Sequence, residues 1–496
     1  MVPQSGAILA AGKAGVSPMV MAEKYKGLAC DSRKVKPGFL FAALPGTRAD
    51  GAAFIEDAVH RGAATVLGVP QVRSLVESLG AAFIADDNPR LRLATIAAEY
   101  FDAQPEFIAA VTGTNGKTSV TVFLRQIWIA LGRSAASMGT IGVVSPSGEI
   151  GLEHTTPDPI ALHQVLARLK DEGVEHVALE ASSHGLDQYR LDGVHVAAAA
   201  FTNITRDHLD YHPDFAHYLA SKLRLFADVL APGGVAVVNA DAEHSEAFIR
   251  AARMREAEIL TVGEGGGALK LLSREPRPDG QVLMLEYAGR SFNIALPLAG
   301  SFQASNALIA AGLAIGLGED AEKVFDALGT LHGAPGRLQK IAYSASGAPI
   351  YVDYAHTPDA LATVLTAIRP HVEGKLHVVF GCGGDRDAGK RPLMGRVAAE
   401  FADSIIVTDD NPRSEDAGSI RRQVLAGCPA AREIGDRASA IVEAVAALAK
   451  GDALIVAGKG HEAGQIVGDQ IRPFSDAEET LRSALALGGR SAGAGV

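Results

Sequence analysis

Val111-Thr-Gly-Thr-Asn-Gly-Lys-Thr-Ser119 lies between an apolar run, Phe107–Val111, and a segment whose apolar residues are Val120, Phe123, Leu124 and Ile127. The run reads as a strand, and the segment's helical spacing reads as a helix burying one stripe. A glycine-bearing loop in that setting is a phosphate cradle. Glycines let the backbone wrap phosphate oxygens, and the helix N-terminus offers aligned N–H groups. Lys117 is placed to neutralise β- and γ-phosphates, and Thr118 to ligate Mg²⁺. The candidate nucleotide contacts are therefore Gly113, Thr114, Asn115, Gly116, Lys117, Thr118 and Ser119. The general phosphate loop has a glycine five positions before the one at Gly116; this chain has Val111 there, so it matches a variant. The loop alone does not choose between kinase, motor, switch and ligase.

Outward from the loop, strand-like runs alternate with helix-period segments, the pattern of α/β sheets with crossover helices. Leu162, Val165, Leu166 and Leu169 repeat the helical spacing, as do Leu361, Val364, Leu365 and Ile368. A length of 496 residues suggests about three domains. Turn clusters at Asp86–Pro89 and Gly329–Gly336, and the new strand after Gln104-Pro105, divide the chain at roughly 1–104, 105–333 and 334–496. Net charge is −11 with no basic block, which argues against a nucleic-acid partner. The uncharged run 291–318 contains Pro297, Gly300, Gln303, Ser305 and Asn306, and reads as strand, turn and buried helix rather than a membrane span. Cys30, Cys382 and Cys428 lack metal-ligand spacing and read as free thiols. With no signal-peptide pattern at the N-terminus, a soluble cytoplasmic protein is expected.

Two further strands end in polar residues: Val177-Ala-Leu-Glu180-Ala-Ser-Ser-His184, and Val194–Ala200 leading into Phe201-Thr-Asn203-Ile-Thr-Arg-Asp207-His208-Leu-Asp210. Open α/β sheets bind ligands at such carboxyl ends. Glu180 and His208 are candidate Mg²⁺ ligands or holders of them. Lys222, read by itself, is a solvated helix lysine.

The set TGTNGKTS, EASSHGL, NITRDHLDYH and Ser221-Lys222 resembles the Mur ligase family of cell-wall amino-acid-adding enzymes, over nearly the whole chain. The resemblance implies an N-terminal UDP-binding α/β domain, a central P-loop ATPase-like domain with a mostly parallel sheet, and a C-terminal Rossmann-like α/β domain. It implies ATP as co-substrate, two Mg²⁺ ions, and carbamylation of Lys222 by CO₂ to an anion that helps hold the second ion. Lys117, Glu180, His208 and Lys222 become the catalytic set, and Thr118, Glu180, His208 and the Lys222 carbamate the metal set. Arg337 is expected at the ATP phosphates, Asp353 at the ribose, His356 beside the nucleotide and Asn306 near adenine. Gln303 stands where the family usually has a second Asn and is left out.

In the last third, Leu376–Phe380, Ser404–Thr408 and Ala453–Ala457 each precede a polar loop. Loops at the ends of parallel strands converge on one crevice. Arginine forks for carboxylates, and carboxylates for ammonium, suit a zwitterionic amino acid there. Asp410-Asn411-Pro412-Arg413 matches family members that add meso-diaminopimelate. Arg386, Gly458 and Glu462 complete that expected site, Arg386 on a carboxylate and Glu462 on the distal ammonium. A sheltered Arg413 fork would be left unpaired by lysine, a difference that can reach roughly 10⁴-fold.

By resemblance, UDP-N-acetylmuramoyl-L-Ala-D-Glu meets Cys30, Ser32, Thr47, Arg48 and Ala49 through its uridine. The same resemblance brings its peptide to His154, Thr155, Thr156, Ser182, Gln188, Arg190 and Lys222. The expectation is a monomer acting on small molecules, without membrane insertion. A sibling adding lysine, or extending folate with glutamate, remains open, as does an ATP-binding regulator that has lost the chemistry.

Overall fold

The computed structural model describes residues 24–46, 50–208 and 210–493. Its contacts divide the chain into two compact units. The first unit holds the described residues up to Glu106 together with Thr156–Gly173 and Ser183–His195, two segments read from sequence as part of the middle third. Its sheet has four parallel strands in chain order, Gly27–Ala29, Phe39–Ala42, Ala63–Gly68 and Ala82–Ala85. Helix Pro89–Phe101, capped by the Asn88 side chain, packs against helix Pro159–Asp171, capped by Asp158. Each opens with Pro at its first position, where a missing N–H costs nothing. Gln104 ties the end of this unit to itself by accepting from the His195 N–H and donating to the Gly193 carbonyl.

The second unit contains two large sheets. In the eleven-stranded one, Phe107–Thr112 lies between Val196–Phe201 and His176–Glu180, all parallel. Leu230–Asn239 and Glu258–Gly263 extend the parallel part, and antiparallel hairpins close both ends. The central strands are rich in alanine and valine and buried at all but one residue each at most, as expected for strands covered on both faces. Helix Lys117–Ala130 buries Val120, Phe123, Leu124 and Ile127, the stripe its spacing predicts. The uncharged run resolves into strand Arg290–Leu296 and the largely buried helix Ser301–Gly316. Among the described residues no helix is long and apolar enough to cross a membrane.

The seven-stranded sheet is ordered Arg432–Glu433, Ser404–Val407, Leu376–Phe380, Ala453–Ala457, Pro349–Asp353, Gln339–Tyr343 and Arg490–Ser491. The first five are parallel, so the loops after four of them open at the same edge. Under that edge Arg437 and Asp476 form a fully buried two-bond ion pair, Nε and Nη2 each donating at 2.7 Å. Arg437 also donates to the carbonyls of Asp409 and Ala457, the residues where two of those loops leave the sheet. Replacing Asp476 with Ala strands a buried guanidinium, and stability should fall by about 3–5 kcal/mol. Denaturant unfolding of the variant reads this directly.

Candidate functional site

The phosphate loop takes its shape from two left-handed glycines. Gly113 has φ +150°, and a Cβ there would sit 1.8 Å from the Thr202 hydroxyl. Gly116 has φ +89°, with a Cβ position 2.4 Å from Asn306 Oδ1. A Gly113→Ala substitution meets both the forbidden φ and the clash, so nucleotide binding measured by calorimetry should fall by at least about 10-fold. The loop is clamped from the neighbouring strand's end. The Thr114 N–H donates to the Asn203 carbonyl, and the Asn115 N–H to Asn203 Oδ1 at 3.0 Å. In return the Thr202 hydroxyl donates to the Asn115 carbonyl at 2.6 Å. Tyr218 completes the clamp through a 2.8 Å hydroxyl contact with Thr114.

Glu180, at the end of its strand, is buried and accepts from the Thr118 hydroxyl at 3.0 Å and the Thr140 N–H at 2.8 Å. A Cβ on Gly139 would lie 2.1 Å from its Oε1, so the glycine makes room for this carboxylate. Helix Phe215–Arg224 brings Tyr218 and Lys222 to the same place, with the Lys222 ammonium 4.6 Å from the Tyr218 ring centre. Lys222 Nζ donates to the Gly113 carbonyl at 2.7 Å, and Lys117 Nζ donates to the same oxygen at 2.9 Å. Burial first, and then the neighbouring Lys117 charge, hold the Lys222 amine well below its ordinary value. Burial likewise lowers Lys117. His208, at φ +52°, is lowered by burial and by both lysines, against the opposing pull of Asp207.

Asn306, packed against Gly116 of the loop, donates to Gln303 Oε1, and Gln303 Nε2 donates to the Arg337 carbonyl at 2.9 Å. Gln303, set aside in the sequence reading, thus links the Asn306 helix to Arg337. Arg337 lies over the Tyr354 ring at 4.8 Å. Asp353 accepts the N–H groups of Leu338 and Ala355, at 2.6 and 2.7 Å. Burial pushes its carboxyl up to about 6 against the pull of Arg337 and those donors. His356 is exposed, its Nδ1 2.8 Å from the Tyr354 carbonyl.

Tyr354 joins this group to the loops after the parallel strands, where the amino-acid residues were expected, since its ring stands 5.2 Å from that of His461. There Gly458, at φ +120°, leaves space for Asp410, whose Oδ2 would be 2.7 Å from a Cβ. Asp410 Oδ1 accepts the Asn411 N–H at 2.7 Å. Asn411 Nδ2 donates to Glu462 at 2.9 Å, and the Pro412 carbonyl accepts from Glu415. Arg413 has φ +51° and is gripped by the hairpin Gly464–Val467 and Gln470–Pro473. Its N–H donates to the Ile466 carbonyl, and its carbonyl accepts from Gly468. One guanidinium nitrogen donates to the Gly384 carbonyl at 2.8 Å. Arg386 is exposed on the neighbouring loop.

The residues expected at the nucleotide sugar fall in both units. Cys30, Ser32, Thr156, Gln188 and Arg190 belong to the first, and His154, Thr155 and Ser182 to the second. Arg190 donates to the Thr156 carbonyl at 2.6 Å and to Gln188 Oε1 at 2.8 Å. Thr155 meets Thr140, which also bonds Glu180, at 3.1 Å. Thr47, Arg48 and Ala49 lie outside the described residues.

The sequence reading missed Thr202 and Tyr218, both far from the loop along the chain, and the cations Lys459 and Arg437. For Thr202 the available signal was its place directly before the NITRDH segment, at the end of the strand beside the loop's own; Tyr218, on helix Phe215–Arg224, carried none.

A strand–loop–helix phosphate cradle, with polar loops carrying Asp410, Arg413 and Glu462 at the ends of a second parallel sheet, is the arrangement of an ATP-dependent enzyme. Residues 24–101 match the family described as Mur ligase family, catalytic domain; 111–314 match the Mur ligase middle domain, and 336–460 the Mur ligase glutamate ligase domain. The chain belongs to the Mur ligase family, ATP-dependent enzymes that form amide bonds. It is 54% identical over 477 residues to a UDP-N-acetylmuramoyl-L-alanyl-D-glutamate–2,6-diaminopimelate ligase of Bradyrhizobium diazoefficiens, covering 95% of this chain and 97% of that one. The enzyme of that name from Caulobacter vibrioides is also 54% identical, over 92% and 95% of the two chains. A solved structure bearing the same enzyme name is 34% identical with a TM-score of 0.71, covering 93% and 95%. A folylpolyglutamate synthase from Mycobacterium tuberculosis, 21% identical with a TM-score of 0.59, shares the fold over 78% of this chain.

Proposed function

We propose that this chain joins meso-diaminopimelate to the D-glutamate γ-carboxylate of UDP-N-acetylmuramoyl-L-Ala-D-Glu, consuming ATP in peptidoglycan precursor synthesis. The observation that carries it is the Asp410–Arg413 loop, held by a hairpin with its arginine bonded to the Gly384 carbonyl of the neighbouring loop, on a chain built throughout as a Mur ligase. A carboxylate oxygen of the substrate attacks the γ-phosphorus of ATP, the bond to the bridging oxygen breaks, and ADP departs. The diaminopimelate nitrogen then attacks the acyl carbon of the resulting acyl phosphate, loses a proton, and inorganic phosphate leaves.

Lys117 and Arg337 bring positive charge to the phosphate side of this reaction. Thr118 and Glu180 offer adjacent hard oxygens, a donor set that fits Mg²⁺, with His208 nearby. When bound, Mg²⁺ supplies charge neutralisation that lets a carboxylate approach a triphosphate. Two ammonium groups sharing the Gly113 carbonyl repel one another, which favours a neutral Lys222 amine. A neutral amine is the form that adds CO₂ to give a carbamate, and the resulting anion beside Lys117 relieves the repulsion. Asp353, Asn306 and His356 are assigned to the nucleoside, and Arg386, Arg413 and Glu462 to the two zwitterionic ends of the amino acid.

ADP release tested across a panel of amino acids checks the assignment. Meso-diaminopimelate should support turnover and lysine or glutamate should not. Equal rates with lysine would refute diaminopimelate specificity, and nucleotide binding without phosphate release under full substrate would refute ligation altogether.

A further inference from the structure

Lys459 belongs to no role given so far, yet it is completely buried at the start of the loop after strand Ala453–Ala457. A buried ammonium is costly unless its donors are met. Lys459 Nζ donates to Glu462 Oε2 at 2.8 Å and to Asn411 Oδ1 at 3.0 Å. Asn411 Nδ2 donates in turn to the same Glu462 Oε2, at 2.9 Å. The three side chains form a closed triangle across two loops. Asn411 Oδ1 is further fixed by the Ile466 N–H at 2.9 Å, which ties the triangle to the hairpin gripping Arg413.

The geometry has a direction. Both side-chain bonds that Glu462 accepts go to Oε2, and its side chain is one-third exposed. Among the described residues no protein group donates to Oε1. Lys459 and Asn411 therefore pin one carboxylate oxygen and leave the other for a ligand cation. We infer that Lys459 is a positioning residue that selects for the distal ammonium of the amino-acid substrate by fixing Glu462. The inference rests on the proposed pairing of Glu462 with that ammonium. A lysine serving only to tie the two loops would support every amino acid equally, and this difference makes the two roles separable.

The test compares meso-diaminopimelate with 2-aminopimelate, which keeps both carboxylates and lacks the distal amine. In Lys459→Met the KM for diaminopimelate should rise about 30- to 100-fold with kcat within about threefold of the parent, as for loss of a charge-assisted buried contact. The KM for 2-aminopimelate should stay within about threefold. Lys459→Gln, which keeps a donor without charge, should fall between parent and Lys459→Met. If both KM values rise together, or neither moves, the positioning role is overturned. Glu462→Gln tests the underlying pairing separately: it should erase the preference for diaminopimelate over 2-aminopimelate, and a retained preference would remove Glu462 from the site. Should Lys459→Met not fold, the double variant Lys459→Met/Glu462→Gln leaves no buried charge unpaired. Its diaminopimelate KM should match that of Glu462→Gln alone, whereas multiplied penalties would show that the two residues act independently and would overturn the inference.

Discussion

Lys222→Ala should lose ligase activity by about 10³-fold or more while still binding ATP, and a short carboxylic acid added to the assay should restore part of it. The expectation follows from where the amine sits. Its nitrogen is buried against the Gly113 carbonyl, beside the Lys117 ammonium, where burial and repulsion hold it well below its ordinary value of 10.5. Between that lowered value and 10.5 the unfolded chain binds a proton that the folded chain does not. In this window the group opposes folding, and the penalty grows as pH falls toward the folded value. The uncarbamylated lysine thus costs stability at neutral pH, which is hard to reconcile with a purely structural role. Lys222→Met removes the penalty, so in CO₂-free buffer at pH 7 it should melt no lower than the parent while remaining inactive. Full activity of Lys222→Ala would refute the carbamate, and a large drop in melting temperature for Lys222→Met would show that the amine is there to hold the fold. Mass spectrometry under bicarbonate, with mild trapping of the carbamate, gives a readout independent of turnover.

The parts of this molecule that sequence made legible are those whose physics is local. The phosphate loop announces itself because a strand, two obligatory glycines and an amphipathic helix are consecutive in the chain. Leu361, Val364, Leu365 and Ile368 give a helix with all four residues buried for the same reason. Where the outcome depended on which distant neighbour an element meets, the signal vanished. Helix Pro159–Asp171 was readable as a helix, but its apolar stripe does not say that it clusters with the first unit while the strand that follows, His176–Glu180, joins the second. Thr202 and Tyr218 clamp Thr114 and Asn115 across long stretches of chain, and neither residue type advertises that contact. Lys459 and Arg437 look like surface charges in the sequence. Only the fold shows that each is buried and tied to the loops after the parallel strands of the seven-stranded sheet.

Arg413→Ala should raise the KM for meso-diaminopimelate by about 10²- to 10³-fold and narrow the discrimination against lysine, with ATP affinity little changed. An arginine fork on a carboxylate makes two charge-assisted bonds, and removing one partner of such a contact costs about 2–5 kcal/mol. The residue is an unusual one to find in its conformation: a φ of +51° is rare for a long side chain, and the backbone holds it there with bonds on both sides. That strain has to be offset by the surroundings, here the hairpin that receives the Arg413 N–H and caps its carbonyl. Alanine relieves none of the backbone strain but removes the guanidinium, so the variant should fold with its loop intact and lose only recognition. Arg413→Lys separates charge from shape. A lysine preserves the positive charge but not the planar fork, so it should recover less than half of the lost binding energy. Were Arg413→Ala to leave the diaminopimelate KM unaltered, the guanidinium would be a loop brace bonded to Gly384, and the choice of amino acid would have to come from Arg386 and Glu462 alone.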